Sequence, residues 1–387
     1  MLPKIVIDTL IKIENSGFEA RLVGGFVRNF QQNMVVFDID IATTANPNEI
    51  IKIFSDKKLN LKGIEHGTVC FYESQYSLEI TTLRQDISCD GRYADVEFGQ
   101  NFEIDASRRD FTINALYMDK FGKIYDYYHG LEDLKNKKVR FIGDPNLRIQ
   151  EDYLRILRYF RFNSYLQSKM TNKEYKSDII KNLDGLKKLS HERMRIELEK
   201  IAQQENGLLY FKKMQEYQVF DILSGLTAVI DDMELDNFNF KLDSVSQEDR
   251  YVLLLMYFVK NTNAILENFN LKRKEKKFIY WLDINRDLLT VHEKRYEDVY
   301  FYVKYPLWTE HALILNNNIS KDEMDDLISF YKSVSLPDVS FIVNSVKNKL
   351  KNLNNLESKI YMIAAKNKFK IKDEKIISEL LKDKDLI

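Results

Sequence analysis

The sequence predicts an α+β fold: a mixed sheet with helices packed on it in the N-terminal part, followed by a chain that is helical throughout. Three observations carry this. Nearly all the short apolar runs punctuated by turn residues fall between residues 20 and 145, the pattern of strands joined by loops. From about Asn146 the apolar residues recur with helical spacing instead. The whole chain holds only 13 Gly and 5 Pro, which leaves few helix breakers. At 387 residues it exceeds what one core supports and should divide into roughly two to four units.

The elements follow in order. MLPKIVIDTLIKIENSGFEA mixes acids into an amphipathic pattern and reads as a first helix rather than a signal or transit peptide. Strand-like runs come next: RLVGG, VFDIDIA, HGTVCFY, YSLEITTL, YADVEF, INALYMD and KIYDYY. NLRIQEDYLRILRYFRFNSYL then places Leu154, Leu157, Tyr159 and Phe160 at helical period. In HERMRIELEKIAQQ, Ser190 is a natural N-cap, although Arg193 stands where a capping box needs Glu or Gln. The rest, to Ile387, is helical by pattern, without internal repeats, and no apolar run approaches transmembrane length.

Charge excludes little. With 58 basic and 59 acidic residues the formal charge is -1, so any nucleic-acid contact must come from local patches. One such patch runs from Phe341 to Lys372, where Lys347, Lys349, Lys351, Lys359, Lys366, Lys368, Lys370 and Lys372 face the single acid Glu357. It is either a solvated helix face or a seat for an RNA backbone. The two cysteines, Cys70 and Cys89, form neither a disulfide framework nor a metal-binding spacing and fit a reducing, cytoplasmic setting.

The chemistry starts in RLVGGFVRNFQQNMVVFDIDIATTA. On a strand, Asp38, Asp40 and Ala42 share one face and Ile39 and Ile41 the other. A lone Asp-x-Asp is usually solvated. Set among Phe37, Ile39 and Ile41, an unpaired carboxylate would be strongly unfavourable, so a divalent cation is the simplest partner. Gly24 and Gly25 let backbone approach an anion, a helix opening there would aim N–H groups at it, and Arg28 adds a forked donor. In LEITTLRQD, Glu79 alternates away from Leu78 and Ile80 and could face the same metals. Three carboxylates holding two ions suit the activation of a hydroxyl and neutralisation of a leaving pyrophosphate, as in nucleotidyl transfer.

Two further motifs would serve the nucleotide. SRRDFTINAL sets Arg108 and Arg109 before Asp110 and Asn114, with the last two on an expected helical turn. Arginine can clamp phosphate oxygens, and Asp or Asn can bond a ribose hydroxyl. In QEDYLRILRYFRF a continuous helix would relate Asp152 to Arg155 as i and i+3 and Glu151 to Arg155 as i and i+4, with Arg158 a turn further on. Taken alone these are surface ion pairs. Following a nucleotidyl-transfer domain, an acceptor beside a donor would accept cytosine and adenine, and reject uracil and guanine by leaving polar groups unpaired.

In this order and spacing, GGFVRN, FDIDIATTA, EITTLR, DGRYADVEF, RRDFTINAL and EDYLRILRYFRF resemble the class II tRNA nucleotidyltransferases, the CCA-adding enzymes, and their relatives the bacterial poly(A) polymerases. The resemblance covers residues 20 to 201 closely and the remainder loosely. It implies a nucleotidyltransferase-type head over 1–145, a neck for base recognition over 146–205, a body over 206–290 and a tRNA-binding tail over 291–387. It further implies Mg²⁺ at Asp38 and Asp40, triphosphate at Gly24, Gly25 and Arg28, and sugar and phosphates around Arg109, Asp110 and Asn114. Asp152 and Arg155 would read the base, with Glu151 orienting Arg155 and Arg158 assisting. The expected activity is addition of C, C and A to tRNA from CTP and ATP. The alternatives are an A-adding enzyme, a poly(A) polymerase, or an RNA-binding protein with an inactive head. DISCDGRYADVEF, hinged at Gly91, resembles the flexible loop used to switch from C to A. One letter departs from the family pattern: Asn29 follows the arginine where Asp is usual.

Overall fold

A computed structural model describes residues 2–90, 93–99, 101–170, 175–225, 232–259, 261–285, 293–346 and 356–382. The chain forms two compact units, Met1–Gly225 and Leu226–Ile387.

The first unit holds the sheet. Its strands are β1 (Ala20–Val23), β2 (Asp38–Thr43), β3 (Leu59–Asn60), β4 (Thr68–Glu73), β5 (Tyr76–Thr82), β8 (Leu116–Met118) and β9 (Ile124–Asp126), in the order β3-β4-β5-β2-β1-β8-β9. The β2–β5 pair is parallel and its neighbours are antiparallel. Ile39, Ile41, Leu78 and Ile80 are fully buried on one face, where α1 (Lys4–Asn15) and α3 (Pro47–Ile53) pack against the strands. Each such side chain is worth roughly 1.5–3 kcal/mol. A one-residue slip of either strand would expose its own two, a loss of roughly 3–6 kcal/mol that approaches the whole stability of a domain. The register is therefore fixed by the apolar face, and the opposite face is free to carry chemistry.

The run YADVEF does form a strand, β7 (Tyr93–Phe98), but it pairs with β6 (Arg84–Asp90), a segment whose alternation did not announce a strand. The two make a separate two-stranded hairpin with an irregularity between Asp86 and Ser88, outside the main sheet. Gly91 lies outside the described residues.

Helices complete the unit. α2 (Gly25–Gln31) follows β1, α4 (Phe102–Ser107) precedes the twin arginines, and α5 (Gly130–Lys135) packs on the short turn at Thr112–Asn114. α6 (Pro145–Glu151) and α7 (Leu154–Leu166) come next, then α8 (Lys176–Asn182) and α9 (His191–Ala202), which packs along α7. Ser190 caps α9 by accepting from the Arg193 amide at 3.4 Å.

The second unit is helical in all its described elements, from Asp232–Leu242 to Asp373–Leu380. Tyr300, Ile342, Val346, Leu356, Ile360, Ala364, Ile376 and Leu380 form one of its buried clusters. Lys366, Lys368, Lys370 and Lys372 stand exposed above it, while Lys347, Lys349 and Lys351 lie outside the described residues. Among the described residues no helix is long and apolar enough to cross a membrane.

Candidate active site

The parallel pairing of β2 with β5 sets Asp40 directly beside Glu79, and the antiparallel pairing of β4 with β5 sets Cys70 on the other side of Glu79. Asp38 is exposed one position earlier on the same face. Gly24 leads from β1 into α2 with φ +64°, a conformation only glycine takes freely. A Cβ added there would stand 3.4 Å from Arg109 Nη1 and 3.9 Å from Asp40 Oδ2; one at Gly25 would stand 3.7 Å from the same carboxylate oxygen. The glycine turn thus lies against the Asp40 carboxylate. Val23, Asp40, His66, Thr81, Arg108 and Arg109 are among the residues lining a cleft of about 380 Å³ there.

The electrostatics set Asp40 apart. Burial pushes its carboxyl up to about 6, helped by Glu79 and Asp38 and opposed by Arg109. Burial and Glu79 likewise push the Cys70 thiol to about 11, keeping it protonated. A carboxylate crowded by two others is a donor set that a hard divalent cation relieves, so these residues fit a metal. Among the described residues no three acidic, imidazole or thiol groups converge to hold an ion unaided. The pair would need other oxygen ligands, which phosphates of a bound nucleotide can supply.

This crowding has a measurable consequence for stability. The folded carboxyl binds its proton more tightly than the unfolded one, whose ordinary value is 3.8. Its destabilisation is absent below that value, grows as pH rises, and is complete above about 6. Asp40→Asn should therefore stabilise the metal-free protein at neutral pH by about 1–2 kcal/mol. The gain should shrink as pH falls through that window. Chemical unfolding in chelator across this range would show it, and a gain independent of pH would reject the account.

Around this centre the arginines are held one by one. Asp105, only 1% exposed, accepts from Arg108 at 2.6 Å, Arg109 at 3.0 Å and the Tyr117 hydroxyl at 2.6 Å. Burial alone would raise its pKa, yet Arg109 and Arg108 hold it well below the usual range. Arg158 pairs with Asp110 at 2.5 Å. There too burial is overcome, by Arg158, Asn114 and the Phe111 amide, and the carboxyl sits at about 2. Asn114 donates to Asp110 at 3.0 Å and accepts from Arg28. Asp110 and Asn114 are thus together, but not on an α-helical turn: Thr112–Asn114 is a 3₁₀ turn.

The helix expected through Glu151 to Arg158 is broken. α6 ends at Glu151, Asp152 is extended with φ -150° and ψ 104°, and α7 starts at Leu154. Asp152 Oδ1 caps the Leu154 amide at 3.1 Å and Oδ2 accepts from Arg193 at 2.8 Å, so its partner is on α9 rather than Arg155. Arg155 donates to Glu151 at 2.6 Å and to the Arg148 carbonyl at 2.6 Å. Arg148 in turn reaches Glu151 at 2.5 Å and the Arg109 carbonyl at 2.7 Å, tying α6 to the head. A capping carboxylate meeting a distant arginine stops the helix, where side-chain spacing alone had suggested continuity.

Sequence reasoning missed Asp105, Arg148, Arg193 and the Arg161–Glu197 pair at 2.7 Å. Asp105 left a trace, an acid three and four residues before twin arginines. The partners of Arg193 and Arg161 are 41 and 36 residues away in the chain and left none.

Residues 20–140 match the Poly A polymerase head domain, and residues 172–229 match the probable RNA and SrmB- binding site of polymerase A. The CCA-adding enzyme of Streptococcus uberis is 33% identical over 357 residues, spanning 89% of this chain and 86% of that protein. The chain belongs to the CCA-adding enzymes. Another family member, the mitochondrial CCA tRNA nucleotidyltransferase 1 of Danio rerio, is 36% identical over 73% of this chain and 67% of its own length. The fold agrees with that of the Bacillus stearothermophilus CCA-adding enzyme in complex with CTP, at TM-score 0.71 and 22% identity, covering 99% and 98% of the two chains.

Proposed function

We propose that this member of the CCA-adding enzymes extends the 3′ end of tRNA by C, C and A, taking CTP and ATP as substrates, with transfer centred on Asp38, Asp40 and Glu79. The observation that carries it is the Asp40–Glu79 pair, in register on adjacent parallel strands, with Asp40 against the Gly24–Gly25 turn. Asp38 and Asp40 would hold Mg²⁺, which when bound would supply activation of the attacking hydroxyl and neutralisation of charge on the leaving pyrophosphate.

The chain's own groups do the rest. The Gly24–Gly25 backbone and Arg28 bind the triphosphate, and Arg109 lies beside them, its direction fixed by Asp105 and Tyr117. Asp110 and Asn114 orient the ribose from inside their network. Asp152 retains lone pairs after meeting Arg193 and Leu154, and Arg155 retains N–H groups after meeting Glu151, so together they offer an acceptor and a donor to the base. Arg158 supports them through Asp110. In this reading residues 1–145 are the catalytic head, 146–205 the neck, 206–290 the body and 291–387 the tail, whose exposed lysines seat the RNA backbone. The setting is the cytoplasm.

A tRNA stripped of its 3′ end, incubated with labelled CTP, with ATP, and with both, tests this directly. CTP should add two residues, ATP should add one only once both cytidines are present, and growth should then stop. Adenylation restricted to tRNA already ending in CC would favour an A-adding enzyme. An unbounded adenosine tail would favour a poly(A) polymerase.

A further inference from the structure

Most arginines in and near the cleft carry a bonded carboxylate. Arg108 and Arg109 share Asp105, Arg148 and Arg155 share Glu151, Arg158 has Asp110, Arg161 has Glu197 and Arg193 has Asp152. Arg28 differs. It is 8% exposed, yet among the described residues no carboxylate is bonded to it. Its Nε and Nη2 donate to Asn29 Oδ1 at 3.1 and 2.9 Å and its Nη1 donates to Asn114 Oδ1. The guanidinium lies 4.9 Å from the ring centroids of both Phe162 and Tyr165. The Tyr165 hydroxyl donates to the same Asn29 oxygen at 2.8 Å, with Gln32 Oε1 also 2.8 Å away.

Every hydrogen-bond and ring partner is neutral. Two amide oxygens and two aromatic faces fix where the guanidinium points but leave its charge whole. Asp110, bonded to the same Asn114, and Asp40 attract it only through space, and a buried charge with no bonded counter-ion is completed by an anion from outside. Arg28 borders the Gly24–Gly25 turn, where a Cβ on Gly25 would stand 3.8 Å from its Nη2.

We propose that Asn29 and Tyr165 form a neutral cradle that positions Arg28 while reserving its charge for the substrate triphosphate, so that the letter at position 29 sets affinity for both nucleotides. The inference rests on reading Arg28 as a triphosphate ligand. Asn29 and Tyr165 are positioning residues, since they act through Arg28. Tyr165 belongs to α7, so the neck contributes to nucleotide affinity without itself contacting the nucleotide.

Asn29→Asp puts a carboxylate in direct contact with Arg28 with almost no change of shape. At saturating tRNA it should raise KM for CTP and ATP together by roughly tenfold and lower kcat by less than about threefold. In an Arg28→Ala background the same substitution should move KM no further. Tyr165→Phe, which keeps the ring and loses the hydroxyl, should raise both KM values by about two- to fivefold. It also tests the cradle should Asn29→Asp fail to fold. An unchanged or lowered KM in Asn29→Asp, or in Tyr165→Phe where that variant stands alone, would overturn the cradle if Arg28→Ala still raises KM. If Arg28→Ala leaves KM unchanged, the triphosphate reading of Arg28 falls with it.

Discussion

Asp40→Asn is expected to lose about 10³-fold or more of nucleotide incorporation while binding tRNA as before. The substitution is nearly isosteric, and Asp40 lies on a strand whose register is fixed by Ile39 and Ile41 beneath it. What changes is the charge, and with it the ability to act as a hard anionic ligand. Because the same change relieves the crowding with Glu79 and Asp38, lost activity should come with unchanged or higher thermal stability. Incorporation measured alongside melting and tRNA binding separates the two effects. An Asp40→Asn protein turning over at even a tenth of the normal rate would sink the assignment of Asp40 as a metal ligand.

Arg155→Ala should relax the preference for CTP and ATP over UTP and GTP by about 10²-fold in the ratio of kcat/KM values. Arg155 has a side chain only 12% exposed and is held by Glu151 and the Arg148 carbonyl. Such anchoring makes a donor directional, and a directional donor penalises a base that presents another donor. Loss of Arg155 also frees Glu151, so a melting curve should accompany the kinetics, with Arg155→Lys as the variant that keeps charge and loses the fork. Equal losses for all four nucleotides, with the ratio intact, would reject base reading and leave Arg155 a structural residue.

How much of this could be read from the chain depends on whether the relevant interactions are local. Strand alternation told correctly which face Asp38, Asp40 and Glu79 would occupy, because burial of Ile39, Ile41, Leu78 and Ile80 enforces it. The facing glycine turn was legible because a glycine pair after an apolar run marks a close backbone approach, and Gly24 takes φ +64° there. The break at Asp152 was not, since the same i,i+3 and i,i+4 spacings describe a continuous helix, and what tips the balance is Arg193 on another helix. The pairing of YADVEF was missed for a related reason: its partner strand, Arg84–Asp90, is polar enough to read as loop. Asn29 was visible only as an odd letter. Its meaning came from a tyrosine 136 residues away.

The parallel join between β2 and β5 also bears on how such a head tolerates change over generations. The turns between these strands can lengthen or shorten, because nothing in the pairing counts their residues. Within Asp38–Thr43 and Tyr76–Thr82 the counting is by parity: one residue added or removed trades the carboxylate face for the isoleucine face downstream of it. Point substitutions can be reversed one at a time, but a parity error needs a second, compensating indel in the same few codons. These two short stretches should therefore keep their length long after their individual letters, and the loops between them, have drifted.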